Sequence, residues 1–327
     1  MNDPRELVSV VVPTYNREQM LHGTLDSVHK QSYRPIEVIV VDDGSTDDTE
    51  QAVRTWAATH HERHGFSVRY QRQPHLGGNA ARNTGISSAL GTFVAFLDSD
   101  DRWLPDKIEK QVAVLQSDAR IGGVYCGVRH VEAGTGESTE PVERSYPSGQ
   151  LLGELLVKDV TAQTSTYVVR KEPFDEVGGF DTELEARQDW DMWIRLAAKY
   201  HIGCVPEPLV EYRHHAGPRT NNDPTKEIRA YGRIMEKYAD LRRAQPWPVR
   251  RAATAAYFRR MGRVHFHQGI STTKAVQYYV RSLMAWPFNF DTWAALGGVL
   301  MPRRFRQAVH RHWNRVLGRT RFAIRSH

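Results

Sequence analysis

The chain has 327 residues, of which 40% are hydrophobic and 25% are charged. This balance excludes the disordered and fibrous classes of protein and is typical of a globular chain with one large or two ordinary domains. The formal net charge is +6, yet the region from Arg219 onward holds 22 Lys and Arg against 5 Asp and Glu. Such asymmetry predicts a basic surface that meets phosphates and a change of domain near residue 219.

Three features of the chain predict a cytoplasmic location. The N-terminus is acidic and lacks the basic start and apolar core of a signal peptide. The two cysteines, Cys126 and Cys204, form neither a disulfide framework nor a metal-binding pattern, as expected in a reducing compartment. No stretch reaches the roughly 20 apolar residues of a membrane-spanning helix, and the best candidate, 293–301, is too short.

The first 100 residues alternate between predicted strands and helices. Continuous apolar runs predict strands at 7–16, 36–41, 68–71 and 92–98. Helical spacing of apolar residues predicts helices between these strands, the first of them at 18–31. Buried strands that alternate with helices predict an α/β fold of the Rossmann-like kind, with a mainly parallel sheet flanked by helices on both faces.

Polar residues follow three of these strands at the point where each strand ends. They are residues 13–16, 42–43 and 98–100. Ligands of open parallel sheets bind beyond the carboxyl ends of the strands, so we expect these residues to converge on one crevice.

The aspartates of the third segment are the most unusual part of this pattern. Asp98 and Asp100 would repel one another unless a cation lay between them. Paired carboxylates of this kind suit Mg²⁺ or Mn²⁺ that also grips a diphosphate. The ordinary alternative is that Asp101 or Asp106 caps the helix predicted to begin near Leu104.

The second half of the chain is predicted to change character. Strands between 124 and 169 are expected to be shorter, with a hairpin or flexible loop at 132–149. A helix is predicted to start near Asp189, and the helical spacing of Trp190 and Trp193 predicts that both are core residues. The remaining pattern predicts helices at 225–243, 248–268, 272–285 and 303–317.

Five segments of the chain together resemble the family 2 glycosyltransferases, which have the GT-A fold. They are "VSVVVPTYNR" at 8–17, "VIVVDDGSTDDT" at 38–49, "GGNAARNTGISSALG" at 77–91, "FVAFLDSDDRWLPDK" at 93–107 and "RQDWDMWIRLA" at 187–197. Their order and separations match the family over about the first 215 residues. The resemblance implies a GT-A catalytic domain at 1–218, followed by a basic α-helical region at 219–327.

The resemblance also implies which residues bind the sugar nucleotide. They are Pro13, Tyr15, Asn16, Asp43, Arg82, Asp98 and Ser99. Asp43 would hydrogen-bond the base, commonly uracil, and Arg82 would lie near the diphosphate. These residue types suit the task, because an aromatic face stacks on a base, a carboxylate accepts its imide proton and a guanidinium pairs with phosphate. The alternatives are a packed Tyr, a turn-forming Asp and a surface Arg, and a structural loop role is expected for Asp42.

By the same resemblance, a divalent cation would be held by Asp98, Asp100 and His215. Oxygen ligands admit either Mn²⁺ or Mg²⁺, and an imidazole ligand favours Mn²⁺. The alternative for His215 is a solvated or core histidine, and His214 is expected to be structural.

Asp189 is the predicted catalytic base. In inverting transfer one carboxylate removes the proton of the acceptor hydroxyl while the oxygen attacks the anomeric carbon. The family usually has Glu-Asp here and this chain has Gln188-Asp189, which puts in doubt only a role for the first carboxylate. Asp191 is expected to cap the helix or pair with Arg195, and the alternative for Asp189 itself is an ordinary helix cap.

The expected function is therefore inverting transfer of a sugar from a UDP-linked or other nucleotide-diphospho-sugar to a hydroxyl of a glycan or lipid-linked acceptor, in the assembly of cell-surface or glycoprotein glycans. The chain has no glycine-rich turn after its first strand and no P-loop, which excludes nicotinamide-dependent oxidoreductases and P-loop enzymes. A donor-binding scaffold or sensor of the same fold, without activity, is the alternative. It would keep Asp43 and tolerate the loss of Asp189.

The C-terminal region has no catalytic signature. Its basic residues and aromatics, among them Arg303, Arg304, Arg306, Trp313 and Phe322, suit peripheral contact with the anionic inner face of the cell membrane. The alternative is a solvated basic face that contacts the acidic catalytic domain. Nucleic acid is not an expected partner, because no recognition motif accompanies the charge.

Overall fold

The computed structural model describes residues 5–60, 65–132, 146–161, 163–214 and 223–301. The chain forms two compact units that divide between Ile234 and Met235. The first unit contains the sheet, and the described part of the second unit is helical.

Eight described strands form one sheet. They are β1 (Val8–Thr14), β2 (Ile36–Asp42), β3 (Phe66–Arg72), β4 (Phe93–Phe96), β5 (Arg102–Trp103), β6 (Ile121–Glu132), β7 (Val168–Arg170) and β8 (His201–His214). Their order in the sheet is β3-β2-β1-β4-β7-β6-β8-β5. Strands β1 to β4 are mutually parallel and so are β6 and β8, whereas β7 runs antiparallel to both β4 and β6.

Helices cover the sheet in the first unit and make up the described part of the second. The first unit contains α1 (Glu18–His29), α2 (Thr49–His60), α3 (Gly78–Ser88), α4 (Lys107–Ser117), α5 (Leu152–Val157), α6 (Pro173–Val177), α7 (Gln188–Ala197) and most of α8 (Pro224–Lys237). The second unit contains α9 (Ala239–Arg243), α10 (Trp247–His267), α11 (Thr272–Ala285) and α12 (Phe290–Leu300). The predicted α/β class, with a mainly parallel sheet and a helical C-terminal region, is confirmed.

The structure differs from the predicted elements mainly after residue 120. Strand β6 is 12 residues long rather than short. Strand β8 was not predicted, because Pro206 and Pro208 interrupt its apolar pattern, and its pairing with β6 accommodates them through register shifts near Gly127. Helix α12 was also missed, since its sequence contains the poor helix formers Gly297 and Gly298.

Other predictions near the chain's end are corrected in part or cannot be compared. The helix predicted at 225–243 is two helices, α8 and α9, separated at Tyr238. The helix predicted at 303–317 and most of the loop predicted at 132–149 lie outside the described residues.

The close packing of α3 on β1 fixes where the start of α3 lies. A Cβ atom at Gly85 would lie 2.3 Å from a methyl carbon of Val11, so only glycine allows this approach. The N-terminal end of α3, which carries Arg82 in its second turn, is thereby held against the carboxyl end of β1.

One buried carboxylate braces the central strands. Glu37 in β2 accepts hydrogen bonds from the Ser9 hydroxyl at 2.5 Å, the Leu90 backbone N–H at 2.7 Å and the Arg69 guanidinium at 2.7 Å. Its side chain is 4% exposed, so its loss leaves several donors without a partner in the interior.

We expect Glu37→Ala to lower the free energy of unfolding by about 2–4 kcal/mol, because the buried donors lose their acceptor. Urea denaturation followed by circular dichroism measures this change. The matched control is Glu50→Ala, which removes an exposed pair with Arg54 and should cost at most about 0.5 kcal/mol. Equal effects of the two substitutions would contradict the assignment.

Candidate active site

The carboxyl ends of β1, β2 and β4 and the N-terminus of α3 surround a cleft of about 610 Å³. Eight of the residues predicted for the site line it: Pro13, Tyr15, Asn16, Asp43, Arg82, Asp98, Ser99 and Asp100. Among the described lining residues Asp189 does not occur, and His215 lies outside the described residues. The predicted convergence of three strand ends on one crevice is present in the fold.

The loop after β1 is held in an uncommon conformation. Asn16 has a φ of 52°, a left-handed value that few residues other than glycine adopt. Its side-chain oxygen accepts a hydrogen bond from the Thr46 backbone N–H at 2.8 Å, and its own N–H donates to the Ser45 hydroxyl at 2.8 Å. These bonds tie the end of β1 to the loop that follows β2 and turn Tyr15 toward the cleft.

Tyr15 carries a second ring on its face. The ring of His75 stacks on it with centroids 4.2 Å apart and an angle of 25° between the planes. Tyr15 is 41% exposed despite this contact. His75 was not predicted as a site residue, because nothing in its local sequence shows that the loop 73–77 returns to the end of β1.

Asp43 lies at the centre of this corner of the cleft and is buried. Its carboxylate accepts hydrogen bonds from Gln73 Nε2 at 2.6 Å, from the backbone N–H of Leu76 at 2.9 Å and from that of Gly77 at 2.8 Å. The Nδ1 atom of His75 is 2.8 Å from the same carboxylate. Asp43 therefore organises the 73–77 loop in this structure, and a nucleotide base that bonds to it must take the place of one of these donors.

The neighbouring Asp42 has a structural role, as predicted. Its carboxylate accepts hydrogen bonds from the Ser45 backbone N–H at 2.8 Å and from the Tyr70 hydroxyl at 2.5 Å. The first bond closes the turn after β2 and the second joins β2 to β3, and Asp42 is not among the described residues that line the cleft.

Two arginines offset the charge of the aspartates that follow β4. The Arg82 guanidinium is 2.5 Å from Asp98, and that of Arg17 is 4.0 Å from Asp100. The Arg82 side chain is only 9% exposed. In this structure the two guanidinium groups offset the mutual repulsion of the carboxylates.

Asp101 is not a helix cap, which corrects the sequence-based interpretation. Helix α4 begins at Lys107, and Asp106, which precedes it, makes no side-chain capping bond. Asp101 is instead buried and accepts a hydrogen bond from the Ser165 hydroxyl at 2.6 Å. Burial, and then the charges of Asp98 and Asp100, raise the pKa of Asp101 well above its ordinary value.

Asp189 lies in the first turn of α7 and is half-buried. Its carboxylate accepts a hydrogen bond from the Trp190 backbone N–H at 2.8 Å. Arg187, just before α7, has a φ of 59°; among the described residues, it and Asn16 are the two outside glycine with a positive φ. Strained backbone of this kind clusters at functional sites.

Neighbours of Asp189 agree with the predictions made for them. Asp191 pairs with Arg195 at 2.9 Å, as predicted. Trp190 and Trp193 are 2% and 0% exposed, which confirms that they are core residues.

The segment that leads into α7 is tied to the walls of the cleft. Asn79 in the first turn of α3 donates hydrogen bonds at 3.0 Å to the carbonyls of Asp181 and Leu184. Arg187 pairs with Glu227 of α8 at 2.7 Å, one position along from the cleft-lining Lys226. The segment before Asp189 is thus bonded both to the start of α3 and to α8.

Ion pairs attach helix α8 to the same segment, in addition to a contact between the rings of Tyr231 and Trp190, whose centroids are 5.1 Å apart. Lys226 and Arg229 pair with Glu185 at 3.5 Å and 2.5 Å, and Arg233 pairs with Glu183. Only Ala230 and Ile234 of this helix are fully buried. These ion pairs were not predicted from the sequence, because the paired residues are 40 to 50 positions apart in the chain.

A second carboxylate lies within electrostatic reach of Asp189. Asp159, in the loop after α5, accepts hydrogen bonds from the backbone N–H and the hydroxyl of Thr161 at 3.2 Å and 3.1 Å. Burial, and next the charge of Asp189, raise the pKa of Asp159 to about 7. Asp159 was not predicted as a site residue, because no second carboxylate lies near it in the sequence.

We expect Asp159→Asn to change the pH dependence of stability. An Asp in an unfolded chain titrates near 3.9, so the folded protein holds an extra proton between about pH 4 and pH 7 and loses that stabilisation as the pH rises. The variant has no such proton. Its Tm relative to the unsubstituted protein should therefore rise steadily from pH 4 to pH 7 and then stay constant.

Thermal unfolding at several pH values measures this difference. Asp175→Asn, at an exposed position in α6, is the control and should show no pH-dependent difference. A constant offset for Asp159→Asn across the whole range would contradict the raised pKa.

Comparison with known proteins shows the family to which this chain belongs. A profile described as "Glycosyl transferase family 2" matches residues 9–178, which is more than half of the chain. The chain belongs to glycosyl transferase family 2.

Individual relatives agree with this assignment. The chain is 31% identical over 219 residues to an uncharacterized glycosyltransferase of Rickettsia felis, in a match that covers 67% of this chain and 35% of that protein. It is 32% identical over 212 residues to the amylovoran biosynthesis glycosyltransferase AmsB of Erwinia amylovora, covering 62% and 68%. It is 28% identical over 229 residues to the UDP-Glc:alpha-D-GlcNAc-diphosphoundecaprenol beta-1,3-glucosyltransferase WfaP of Escherichia coli, covering 68% and 84%.

Solved structures share the fold at lower identity. The crystal structure of S. aureus TarS 1-349 in complex with UDP-GlcNAc has a TM-score of 0.62 and 18% identity, covering 93% of this chain and 92% of that one. The mannosyltransferase PcManGT of Pyrobaculum calidifontis, in complex with GDP-Man and Mn²⁺, has a TM-score of 0.59 and 22% identity, covering 94% and 84%. These similarities show the fold.

Proposed function

We propose that this chain is a glycosyltransferase that takes its sugar from a UDP-linked donor and transfers it with inversion to a hydroxyl of a glycan or lipid-linked acceptor. The observation that carries the proposal is the convergence of Tyr15, Asp43, Arg82 and the paired aspartates on one cleft. An aromatic face, a carboxylate and a guanidinium in this arrangement suit the base and the diphosphate of a nucleotide sugar.

The N-terminus of α3 contributes to the same diphosphate site. Gly77 has a φ of 92° and no atom within 4 Å of where its Cβ would lie, so a ligand can approach the backbone closely there. The helix dipole and the Arg82 guanidinium both favour negative charge at this point. Lys226 also lines the cleft and adds a further positive charge.

The donor atoms in the cleft suit Mg²⁺ or Mn²⁺. These cations are commonly held by one or two carboxylates together with substrate phosphates, and Asp98 and Asp100 supply two carboxylates. Among the described residues no group of three or more His, Cys, Asp or Glu side chains could hold a metal ion. The resemblance to the family is the ground for His215, which lies outside the described residues, as the proposed third ligand. When bound, the cation stabilises the charge that develops on the departing diphosphate.

Asp189 is the proposed general base. Asp189 lies in the first turn of α7, and the segment before it bonds to the start of α3 and to α8. This placement supports a role in accepting the proton of an acceptor hydroxyl beside the donor sugar. Arg187 and the 181–187 segment would act as positioning groups, since they tie this helix to both cleft walls.

The relatives support a role in polysaccharide biosynthesis with an acceptor on the membrane. AmsB is named for amylovoran biosynthesis, and WfaP for transfer to a diphosphoundecaprenol-linked GlcNAc. The excess of basic residues from Arg219 onward supports peripheral contact with an anionic membrane on its cytoplasmic face. In the described part of the chain, no helix has both the length and the apolarity to cross a bilayer.

Calorimetric titration with UDP, GDP and TDP sugars, with and without Mn²⁺, tests the proposal. Binding of a UDP sugar should release heat in the presence of Mn²⁺, and EDTA, which chelates the cation, should abolish that heat. The same UDP sugar should serve as the donor in transfer to lipid-linked glycan acceptors. Absence of heat from every nucleotide sugar in the presence of Mn²⁺ would overturn the proposed donor site.

A further inference from the structure

The second unit exposes six large apolar side chains, which we call the apolar surface: Trp247, Met284, Phe288, Phe290, Trp293 and Leu300. The exposed fractions of Phe290, Phe288 and Met284 are 82%, 75% and 73%. Scattered exposed apolar residues are ordinary in globular proteins, but large aromatics that adjoin one another mark an interaction site.

Side-chain contacts bring much of this surface together at one end of the α10–α11 pair. The rings of Trp247 and Trp286 have centroids 5.9 Å apart, and those of Trp286 and Phe288 are 6.5 Å apart. Arg251 donates hydrogen bonds to the carbonyls of Met284 and Ala285 at 2.6 Å and 2.5 Å, which places the start of α10 beside the end of α11.

Helix α12 extends the surface because it is apolar on two faces. Thr292, Leu296 and Val299 are buried in the helical unit. Phe290, Trp293 and Leu300, at helical spacing on another face, are 82%, 53% and 66% exposed. A helix that is apolar all round is normally enclosed by protein, so the exposed face of α12 indicates a further apolar environment.

The charge of the chain after residue 234 favours one such environment. Residues 235–301 hold ten Lys and Arg against three Asp and Glu, and residues 302–327 add eight Arg and no acid. Arg250 and Arg281 are exposed one helical turn from Trp247 and Met284. A second copy of the chain would bring the same excess of positive charge to the contact, which disfavours self-association.

We propose that the apolar surface inserts into the headgroup layer of an anionic lipid bilayer, with the surrounding arginines on lipid phosphates. Tryptophan and phenylalanine on one face with basic residues beside them are the pattern of interfacial membrane helices. Trp293 already donates its indole N–H to the Pro287 carbonyl at 2.9 Å, so its ring can enter an apolar layer without an unpaired donor. The inference rests on the proposed function only in assigning the membrane as the location of the acceptor.

Binding to vesicles tests this surface directly. The full chain should co-sediment with equimolar phosphatidylglycerol and phosphatidylcholine vesicles but not with phosphatidylcholine alone. The double variant Phe288→Ser with Phe290→Ser should bind the anionic vesicles about tenfold or more weakly, because two exposed rings no longer leave water. Its Tm should be unchanged, since both rings are exposed.

Leu90→Ser is the matched control, since Leu90 is 72% exposed in the first unit. It should bind vesicles as the unsubstituted chain does. Brominated lipids should quench tryptophan fluorescence of the unsubstituted chain and of the control, and should do so less in the double variant. Donor calorimetry on the same variants separates the two proposals, because a chain that binds vesicles through Phe288 and Phe290 but binds no nucleotide sugar contradicts only the proposed function.

Two results would overturn the inference. One is equal binding of the double variant and the unsubstituted chain to anionic vesicles, which would leave charge alone as the cause. The other is no binding to vesicles by a chain that sediments as a dimer and becomes monomeric in the double variant, which would make a second copy the occupant.

Discussion

Asp189→Asn is expected to lower the rate of sugar transfer by about 10²–10⁴-fold, the usual contribution of a general base. Asparagine has nearly the same shape and keeps the oxygen that accepts the Trp190 N–H, so the start of α7 should remain intact. It cannot accept the proton of an attacking hydroxyl. Donor affinity should be unchanged, because among the described residues that line the cleft Asp189 is not present.

Steady-state transfer and donor calorimetry on the same preparation measure the two effects separately. Asp175→Asn, which replaces an exposed carboxylate in the first turn of α6, is the matched control and should leave both unchanged. If Asp189 were only a helix cap, its substitution would lower stability and leave the rate per folded molecule intact. Undiminished transfer by Asp189→Asn would remove it from the catalytic assignment.

Arg82→Ala is expected to weaken donor binding and strengthen the binding of bare Mn²⁺. The lost guanidinium should reduce affinity for the nucleotide sugar by about 10–100-fold, the usual effect of one charge-assisted hydrogen bond. The same substitution frees Asp98 from its 2.5 Å pair, so a divalent cation no longer competes with Arg82 for that carboxylate. The distinctive result is that one substitution lowers the affinity for the nucleotide sugar and raises the affinity for Mn²⁺.

Calorimetry with MnCl₂ alone and with the nucleotide sugar measures both affinities. Arg82→Lys is the control, since it keeps the charge without the planar fork of the guanidinium and should give intermediate donor affinity. Parallel losses of both affinities in Arg82→Ala would contradict the competition and would indicate that Arg82 only supports the fold of the Asp98 turn.

The strand ends were predictable because their signal is local. Each buried run of β1, β2 and β4 stops at polar residues, and the rule for parallel sheets then places those residues in one crevice. The cleft has this composition. The end of each strand can be read from the sequence alone, because apolar residues give way to polar residues at that position.

Other parts of the site were not predictable, since they depend on contacts between distant segments. His75 reaches Tyr15 and Asp43 only because the loop 73–77 folds back over the end of β1. The charge of Asp189 raises the pKa of Asp159, although the two residues are 30 positions apart in the sequence. Nothing in the sequence around either residue predicts this interaction. Asp101 resembles a helix cap in sequence and is instead a buried partner of Ser165.

The attachment of α8 by ion pairs makes one side of the cleft sensitive to ionic strength. Packing between apolar side chains does not weaken as salt is added, whereas exposed ion pairs do, because the Debye length falls from about 10 Å at 0.1 M salt to about 3 Å at 1 M. The helix that carries Lys226 should therefore detach locally at a lower free energy than the sheet opposite it. We therefore expect the proposed donor to enter, and its nucleotide product to leave, on the side of the cleft that α8 forms. Asp98 and Asp100, which follow β4, should stay in place during this movement.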